Sequence, residues 1–289
     1  MHRSIVLALF AAVTVSASAA AQQPARELGR NTDTWRWDGR VEAGRWMHIY
    51  NVNGAVDFLP STDNMVHVVA VKKARNESHM DEIHFEVVQV GGNVTICAIW
   101  NRRARCEDGG YETFRNKGNN ETHSNVRFTV RVPKNVRVGA NSVNGGVSVR
   151  DVGAEVRANT VNGGVEVRNA SGRVKASSVN GTVDVNTASG PVSASTVNGN
   201  VEAKMNALST TDDMSFKTVN GSVTVIVPAS FDANFRFDTV HGSIDSDFPM
   251  TITGRFGPRH ASGTIGSGGV RHIRASTVNG GIELRKQEE

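Results

Sequence analysis

The sequence predicts an all-β fold: a parallel β-solenoid with eighteen-residue coils of two strands each, preceded by an irregular β N-terminal part. Three observations predict it. The tripeptide Val-Asn-Gly recurs at Val143, Val161, Val179 and Val197, a constant step of eighteen residues. A weaker turn signal falls midway, at Val152-Gly153, Ser171-Gly172 and Ser189-Gly190, so the working unit is nine residues used in pairs. Aligned in nines, the apolar residues form columns. One runs through Val147, Val156, Val165, Val174, Val183 and Val192; another, two residues on, through Val149, Ala158, Val167, Ala176 and Val185. Positions two apart share a face only in an extended strand. The Asn-Gly and Ser-Gly steps between strands tolerate the backbone of a tight turn.

A meander of hairpins competes with this reading, since Asn-Gly is also a hairpin signal. Hairpins give no reason for identity at eighteen residues and not at nine. A coil of two strands and two unlike turns does, because each coil lies on the next and like residues stack. Energetics agree. A coil buries five or six small apolar side chains at ~1.5–3 kcal/mol each, against ~1–2 kcal/mol of backbone entropy for every residue ordered. No coil stands alone. Valine beside alanine also implies a thin interior. A third apolar column, just before the turns, is read as Val143, Val152, Val161, Ala170, Val179, Ala188 and Val197.

Residues 1–21 read as a signal peptide: His2 and Arg3 precede an apolar core and an Ala-x-Ala site at Ala19–Ala21. The core is too short to span a membrane well, and no cysteine follows it, so the expectation is an exported protein, periplasmic or at the cell surface, without an intrinsic membrane anchor. Residues 22–33 read as a linker. Residues 34–138 read as an irregular N-terminal β region with hairpin excursions, and 139–289 as the regular solenoid with an insertion at about 247–269. The early Val52-Asn53-Gly54 suggests that the N-terminal region is a distorted beginning of the same stack. Its four tryptophans, Trp35, Trp37, Trp46 and Trp100, suit the capping of an exposed core end; a sugar platform is the functional alternative. The interior must widen, or the surface become apolar, where Phe216, Phe231, Phe235 and Phe237 replace valine and alanine. The insertion is expected to loop off one edge, and the repeat at Ser276–Leu284 to close the stack.

Two sets of residues are singled out. Cys97 and Cys106 are the only cysteines and are expected to form a disulfide in an exported protein. Asn144, Asn162, Asn180, Asn198, Asn220 and Asn279 are expected to form a structural amide ladder along the coil axis, with Ser142, Thr160, Ser178 and Thr196 as a parallel hydroxyl column. No catalytic, cofactor-binding or metal residues are assigned. The turns lack the aspartate of calcium-binding β-rolls. His79, Asp81, Glu82 and His84 fit no zinc spacing. Glu166, Asp184 and Glu202 share a column, but Arg168 and Lys204 flank it, which reads as charge balance across stacked strands. A net charge of +4 with both signs interspersed excludes a nucleic-acid footprint.

Several stretches resemble the bacterial toastrack-type adhesin family. They are Tyr50-Asn51-Val52-Asn53-Gly54, the Arg131-Val132-Pro133 edge, Thr218-Val219-Asn220-Gly221-Ser222-Val223, Ser243-Ile244-Asp245-Ser246-Asp247-Phe248-Pro249, and Ser276-Thr277-Val278-Asn279-Gly280. The resemblance implies a β-strand-repeat protein without cofactor or catalytic residues. The expected function is a non-enzymatic exported adhesin or envelope scaffold whose partner is an envelope protein or glycan. An accessory of envelope-stress signalling is the alternative, and a carbohydrate-active β-helix enzyme a third reading.

Overall fold

The computed structural model describes residues 32–75, 83–100, 104–112, 124–207, 211–253 and 258–287. Among them there is no helix. The first nine strands are β1 (Thr32–Gly39), β2 (Trp46–Tyr50), β3 (Val56–Pro60), β4 (Val66–Ala74), β5 (His84–Val90), β6 (Asn93–Ile99), β7 (Arg105–Glu107), β8 (Gly110–Glu112) and β9 (Ser124–Val132). The array follows with β10 (Arg137–Asn144), β11 (Val147–Arg150), β12 (Val156–Asn162), β13 (Val165–Ala170), β14 (Val174–Ser177), β15 (Val183–Thr187), β16 (Val192–Ser195), β17 (Val201–Met205), β18 (Met214–Lys217) and β19 (Val223–Val227). The last six are β20 (Ala233–His241), β21 (Ile244–Ser246), β22 (Thr251–Thr253), β23 (Arg259–Ile265), β24 (His272–Asn279) and β25 (Ile282–Lys286).

Strands from successive coils pair in parallel at the eighteen-residue offset, Val165 beside Val183 and Val156 beside Val174. Consecutive strands of one coil therefore fall in different sheets. The first sheet runs β1-β4-β9-β3-β11-β13-β15-β17-β19-β25-β21, and the second β22-β23-β20-β24-β18-β16-β14-β12-β10-β2-β6-β5. Neither closes on itself. This is the parallel solenoid, not the hairpin meander. The N-terminal region shares the stack: β2 and β3 lie parallel against β10 and β11, and β6 and β9 continue beyond them. β1 opens at Thr32, inside the stretch read as linker.

The core is the slot between the sheets. Its middle is thin because both walls carry only small side chains, with Val165, Val174, Val183 and Val192 at most 1% exposed. It thickens at both ends, around Phe58 and Phe128 and around Phe216 and Phe237, all fully buried. The phenylalanines thus lie in the interior and not on the sheet surface.

Three expectations are corrected. The valines of the Val-Asn-Gly turns do not join the core. Val143, Val161, Val179, Val197, Val219 and Val278 are each 38–39% exposed, while Val152 and Ala170 at the opposite turns are buried. Strand alternation is the cause. In β12, Val156, Ala158 and Thr160 point inward, so Arg157, Asn159 and Val161 point out. The inward place next to the turn belongs to the hydroxyl column. Thr160, Ser178, Thr196 and Thr218 donate to the carbonyls of Gly145, Gly163, Gly181 and Gly199 on the preceding coil, at 2.7–2.9 Å. A buried hydroxyl needs such a partner; a valine there would leave the turn carbonyl without it.

The repeat at Ser276–Leu284 does not close the stack. β24 lies between β18 and β20, and β25 between β19 and β21, so the last repeat is inserted between the two coils that precede it in sequence. The insertion does not loop off either. It supplies β22 and β23, which add antiparallel to β20 and finish the second sheet. At the other end β4, β1 and β5 add antiparallel in the same way. Antiparallel strands thus terminate both sheets at the N-terminal end and the second sheet at the other, where the first sheet ends in the parallel strand β21.

Candidate binding faces

The turns of each coil stack into a corner. There Asn144 donates its side-chain amide to Asn53, and Asn162, Asn180, Asn198, Asn220 and Asn279 each donate to the asparagine before, at 2.6–2.9 Å. The row begins one coil earlier than the expected ladder, and Asn279 follows Asn220 directly because of the inserted coil. It lies exposed at the surface, from Asn144 on, and is not sealed in the core. Each amide uses one proton and one oxygen along the axis and presents the rest to solvent. His241 takes the place beside Asn279.

Beside this corner, the outer face of the second sheet carries three parallel columns. The outermost is the exposed valine row. Two residues back along each strand come Asn141, Asn159, Ser177 and Ser195, then Lys217. Asn159 donates to Asn141 at 3.1 Å and Ser177 to Asn159 at 2.6 Å. Two residues further back the column reads Arg157, Lys175, Ser193, Ser215, Arg274 and Arg236, one residue per strand. Arg157 pairs with Glu155 at 2.9 Å and Arg274 with Asp213 at 2.9 Å.

The equivalent column of the first sheet is acidic, with Asp57, Glu166, Asp184, Glu202 and Glu283. Arginines from the next column hold most of these carboxylates. Arg168 reaches Glu166 at 3.0 Å and takes both oxygens of Asp184; Asp184 in turn raises its already high pKa. Arg285 holds Glu283 at 3.2 Å, and Arg127 holds Asp57 at 3.0 Å. A shallow groove runs along this column past Asp57, Arg127, Glu166 and Asp184. Carboxylates tied up by guanidinium forks lack the lone, proton-holding environment that acid–base catalysis uses.

At the N-terminal end of the second sheet, Trp46, His48 and Tyr50 stand in line on the outer face of β2. The indole stacks on the imidazole at 5.0 Å and carries the Arg157 guanidinium at 4.5 Å. Gly139, facing His48, leaves room for the ring: a Cβ there would lie 2.0 Å from Nδ1. His48 Nδ1 is buried and has no hydrogen-bond partner among the described residues. Burial lowers the His48 pKa from 6.5 to about 4, against a smaller raising effect of Asp108. A short β7–β8 hairpin covers the line. The Cys97–Cys106 disulfide, with 5.7 Å between Cα atoms, ties β7 to β6, and the Tyr50 hydroxyl donates to the Gly109 carbonyl. Burial and Asp108 raise the Tyr50 pKa.

The tryptophans divide in role. Trp35 stacks on Phe85 at 4.8 Å over the N-terminal end of the core, and Trp37 and Trp100 pack against the same core. Trp46 lies on a lateral face. His79, Asp81 and Glu82 fall outside the described residues, and His84 lies 3.3 Å from Glu86. Among the described residues no group of three His, Cys, Asp or Glu side chains could hold a metal ion, and no helix is long and apolar enough to cross a membrane.

A cell adhesion protein structure from Clostridium sporogenes, described as putative, matches with 8% identity over 88% of this chain and 100% of that one, at a TM-score of 0.39. A putative adhesin from Bacteroides fragilis matches with 11% identity over 87% and 97%, at 0.41. A putative lipid binding protein from Parabacteroides distasonis matches with 11% identity over 90% and 96%, at 0.38. No curated protein matches the sequence. The Toastrack DUF4097 family model matches residues 69–285, across the repeats and the inserted coil, and the chain belongs to that family.

Proposed function

We propose that this chain is a non-enzymatic, adhesin-like binding protein, exported to the cell envelope, that engages an envelope glycan or protein through the lateral faces of its stack. The observation that supports this most is the three-column outer face of the second sheet. It repeats one residue per strand, and each rung is hydrogen-bonded to the next. Such a face offers contact area and repeated hydrogen bonds instead of the enclosed pocket of a small-molecule site. The Cys97–Cys106 disulfide suits an oxidising compartment. On the first sheet, Glu166 and Asp184 act in charge pairing with Arg168.

The test combines capture of partners from envelope fractions with a glycan array and an assay for released reducing sugar. Retention of a glycan or envelope protein without sugar release is expected. Sugar release that disappears in Glu166→Gln or Asp184→Asn would replace this reading with that of a carbohydrate-active enzyme.

A further inference from the structure

The central outward columns of the two sheets have opposite sign. On the first sheet, five acids and no base stand in the column from Asp57 to Glu283 described above. On the second, the same position in the coil holds Arg157, Lys175, Arg274 and Arg236 with serines between them. The acids are largely held by arginines of their own sheet. Of the bases, Arg157, Arg274 and Arg236 are likewise held, by Glu155, Asp213 and Asp238, while among the described residues no carboxylate is in ion-pair contact with Lys175 or with Lys217 in the adjacent column. Neighbouring rungs are ~4.8 Å apart and neighbouring columns about 7 Å. The result is a strip of cations, a strip of amides and hydroxyls, and a strip of half-exposed valines, side by side along the stack.

The cations lie in a line and do not converge, so a small anion would meet only one or two of them. An exposed pair of that kind contributes little by itself. A polymer that follows the line adds contacts without a new loss of freedom for each. The three strips then match three chemistries of one polymer: pendant anions on the arginine and lysine column, hydroxyls on the asparagine and serine column, and the carbon–hydrogen faces of sugar rings on the valines. Nucleic acid needs aromatic platforms for its bases. Among the described residues of this face the large aromatic platform is Trp46, which is already stacked on His48 and covered by Arg157. A lipid surface is gripped by large apolar side chains that enter it, whereas these valines are only 38–39% exposed.

We propose that the outer face of the second sheet binds an anionic, hydroxyl-rich polysaccharide along the axis of the stack. This rests on the binding-protein reading above and names the class of partner for it. The full chain is assayed by biolayer interferometry against oligogalacturonate, neutral dextran of matched length, phosphatidylglycerol vesicles and oligothymidylate. Oligogalacturonate should bind, should bind at least about tenfold more tightly than dextran, and should lose affinity as salt shortens the screening length. The K175E/K217E double variant should bind it at least about tenfold more weakly with an unchanged melting temperature, because both side chains are exposed. E202K, on the opposite face, should bind as the parent does.

Absence of oligogalacturonate binding would overturn the proposal. So would equal binding of dextran, parental binding by K175E/K217E, or binding confined to vesicles or to oligothymidylate. If envelope capture retains a partner whose binding K175E/K217E leaves intact, the proposal fails while the binding-protein reading stands. Release of reducing sugar would end both.

Discussion

Gly181→Ala tests the close approach of the coils most directly. A Cβ at Gly181 would lie 2.1 Å from the carbonyl oxygen of Gly163, 2.5 Å from its carbon and 3.0 Å from the nitrogen of Gly164. All three are main-chain atoms of the coil below, so no side chain can swing aside. Restoring ordinary contact requires the two coils to part at this corner by more than about 1 Å, which a packed, hydrogen-bonded stack resists. Three hydrogen bonds meet there. Gly163 donates to Asn180 at 3.0 Å, Asn180 to Val161 at 2.7 Å, and the Ser178 hydroxyl to Gly163 at 2.8 Å. At about 1 kcal/mol net for each bond, the variant should lose about 3 kcal/mol. At about 2–4 °C per kcal/mol for a domain of this size, that is a fall of roughly 6–12 °C in melting temperature, read by circular dichroism. Gly164→Ala is the control. There the nearest atom to the added Cβ is the Thr182 carbonyl oxygen at 3.3 Å, and other coils already carry Thr182, Asn200 and Ser222 at that place. Its melting temperature should stay within about 2 °C of the parent. Equal losses in the two variants, or a parental melting curve for Gly181→Ala, would refute the argument.

Other perturbations separate the remaining terms. Val183 is fully buried, so Val183→Asp places an unpaired charge in the thin core and should abolish cooperative unfolding; a parental melting curve would mean that the wrong column faces inward. Thr196→Val should cost about 1–2 kcal/mol, because its hydroxyl is buried against the Gly181 carbonyl. Asn180→Ala should cost less than about 1 kcal/mol in the same denaturant titration, since water can replace its exposed amide partners; the reverse order would place the structural weight on the amides. His48 makes stability depend on pH. Its folded pKa, near 4, lies below the ordinary 6.5, so the unfolded chain takes up its proton first as pH falls. Stability should therefore drop between about pH 6.5 and 4, by up to about 3 kcal/mol at 1.36 kcal/mol per unit. His48→Phe should remove that share, seen as a smaller difference in urea midpoint between neutral and acid solution. His67 works the other way: Asp38 and Asp63 raise its pKa, so its contribution is present in acid and fades as pH rises through that value. Comparing parent with His48→Phe cancels it.

The coil, its period and its parallel stacking were legible because every coil repeats the same apolar positions two residues apart, and only an extended chain gives that spacing a common face. The side of the sheet taken by the valine before each Asn-Gly was not. Hydrophobicity alone assigns Val161 inward and Thr160 outward, and the reverse holds because the turn carbonyl of Gly145 needs a buried donor. Sequence order also misplaced the last repeat. Nothing local in Ser276–Leu284 marks which coil it adjoins, since its Val-Asn-Gly fits any rung equally well. The charge columns were half legible. Glu166, Asp184 and Glu202 could be aligned in one column, but the segregation of acids to one sheet and bases to the other emerges only when strands of alternating sheets are separated. The Trp46–His48–Tyr50 line had a signal in its alternate spacing, yet its cover comes from a hairpin some sixty residues later in the chain.

The placement of β24 and β25 has a consequence for how the molecule comes together. Growth of the stack in order of synthesis would reach β19 and stop, because the rung that belongs on β18 and β19 is encoded downstream of the one that lies beyond it. Residues 233–265 must wait, unpaired on their stack-facing edge, until residues 272–286 slot in and act as a keystone. A chain cut just before His272 would keep most of its windings but lose the rung that joins β20 and β21 to β18 and β19, so the final winding decides how the far end is seated on the rest.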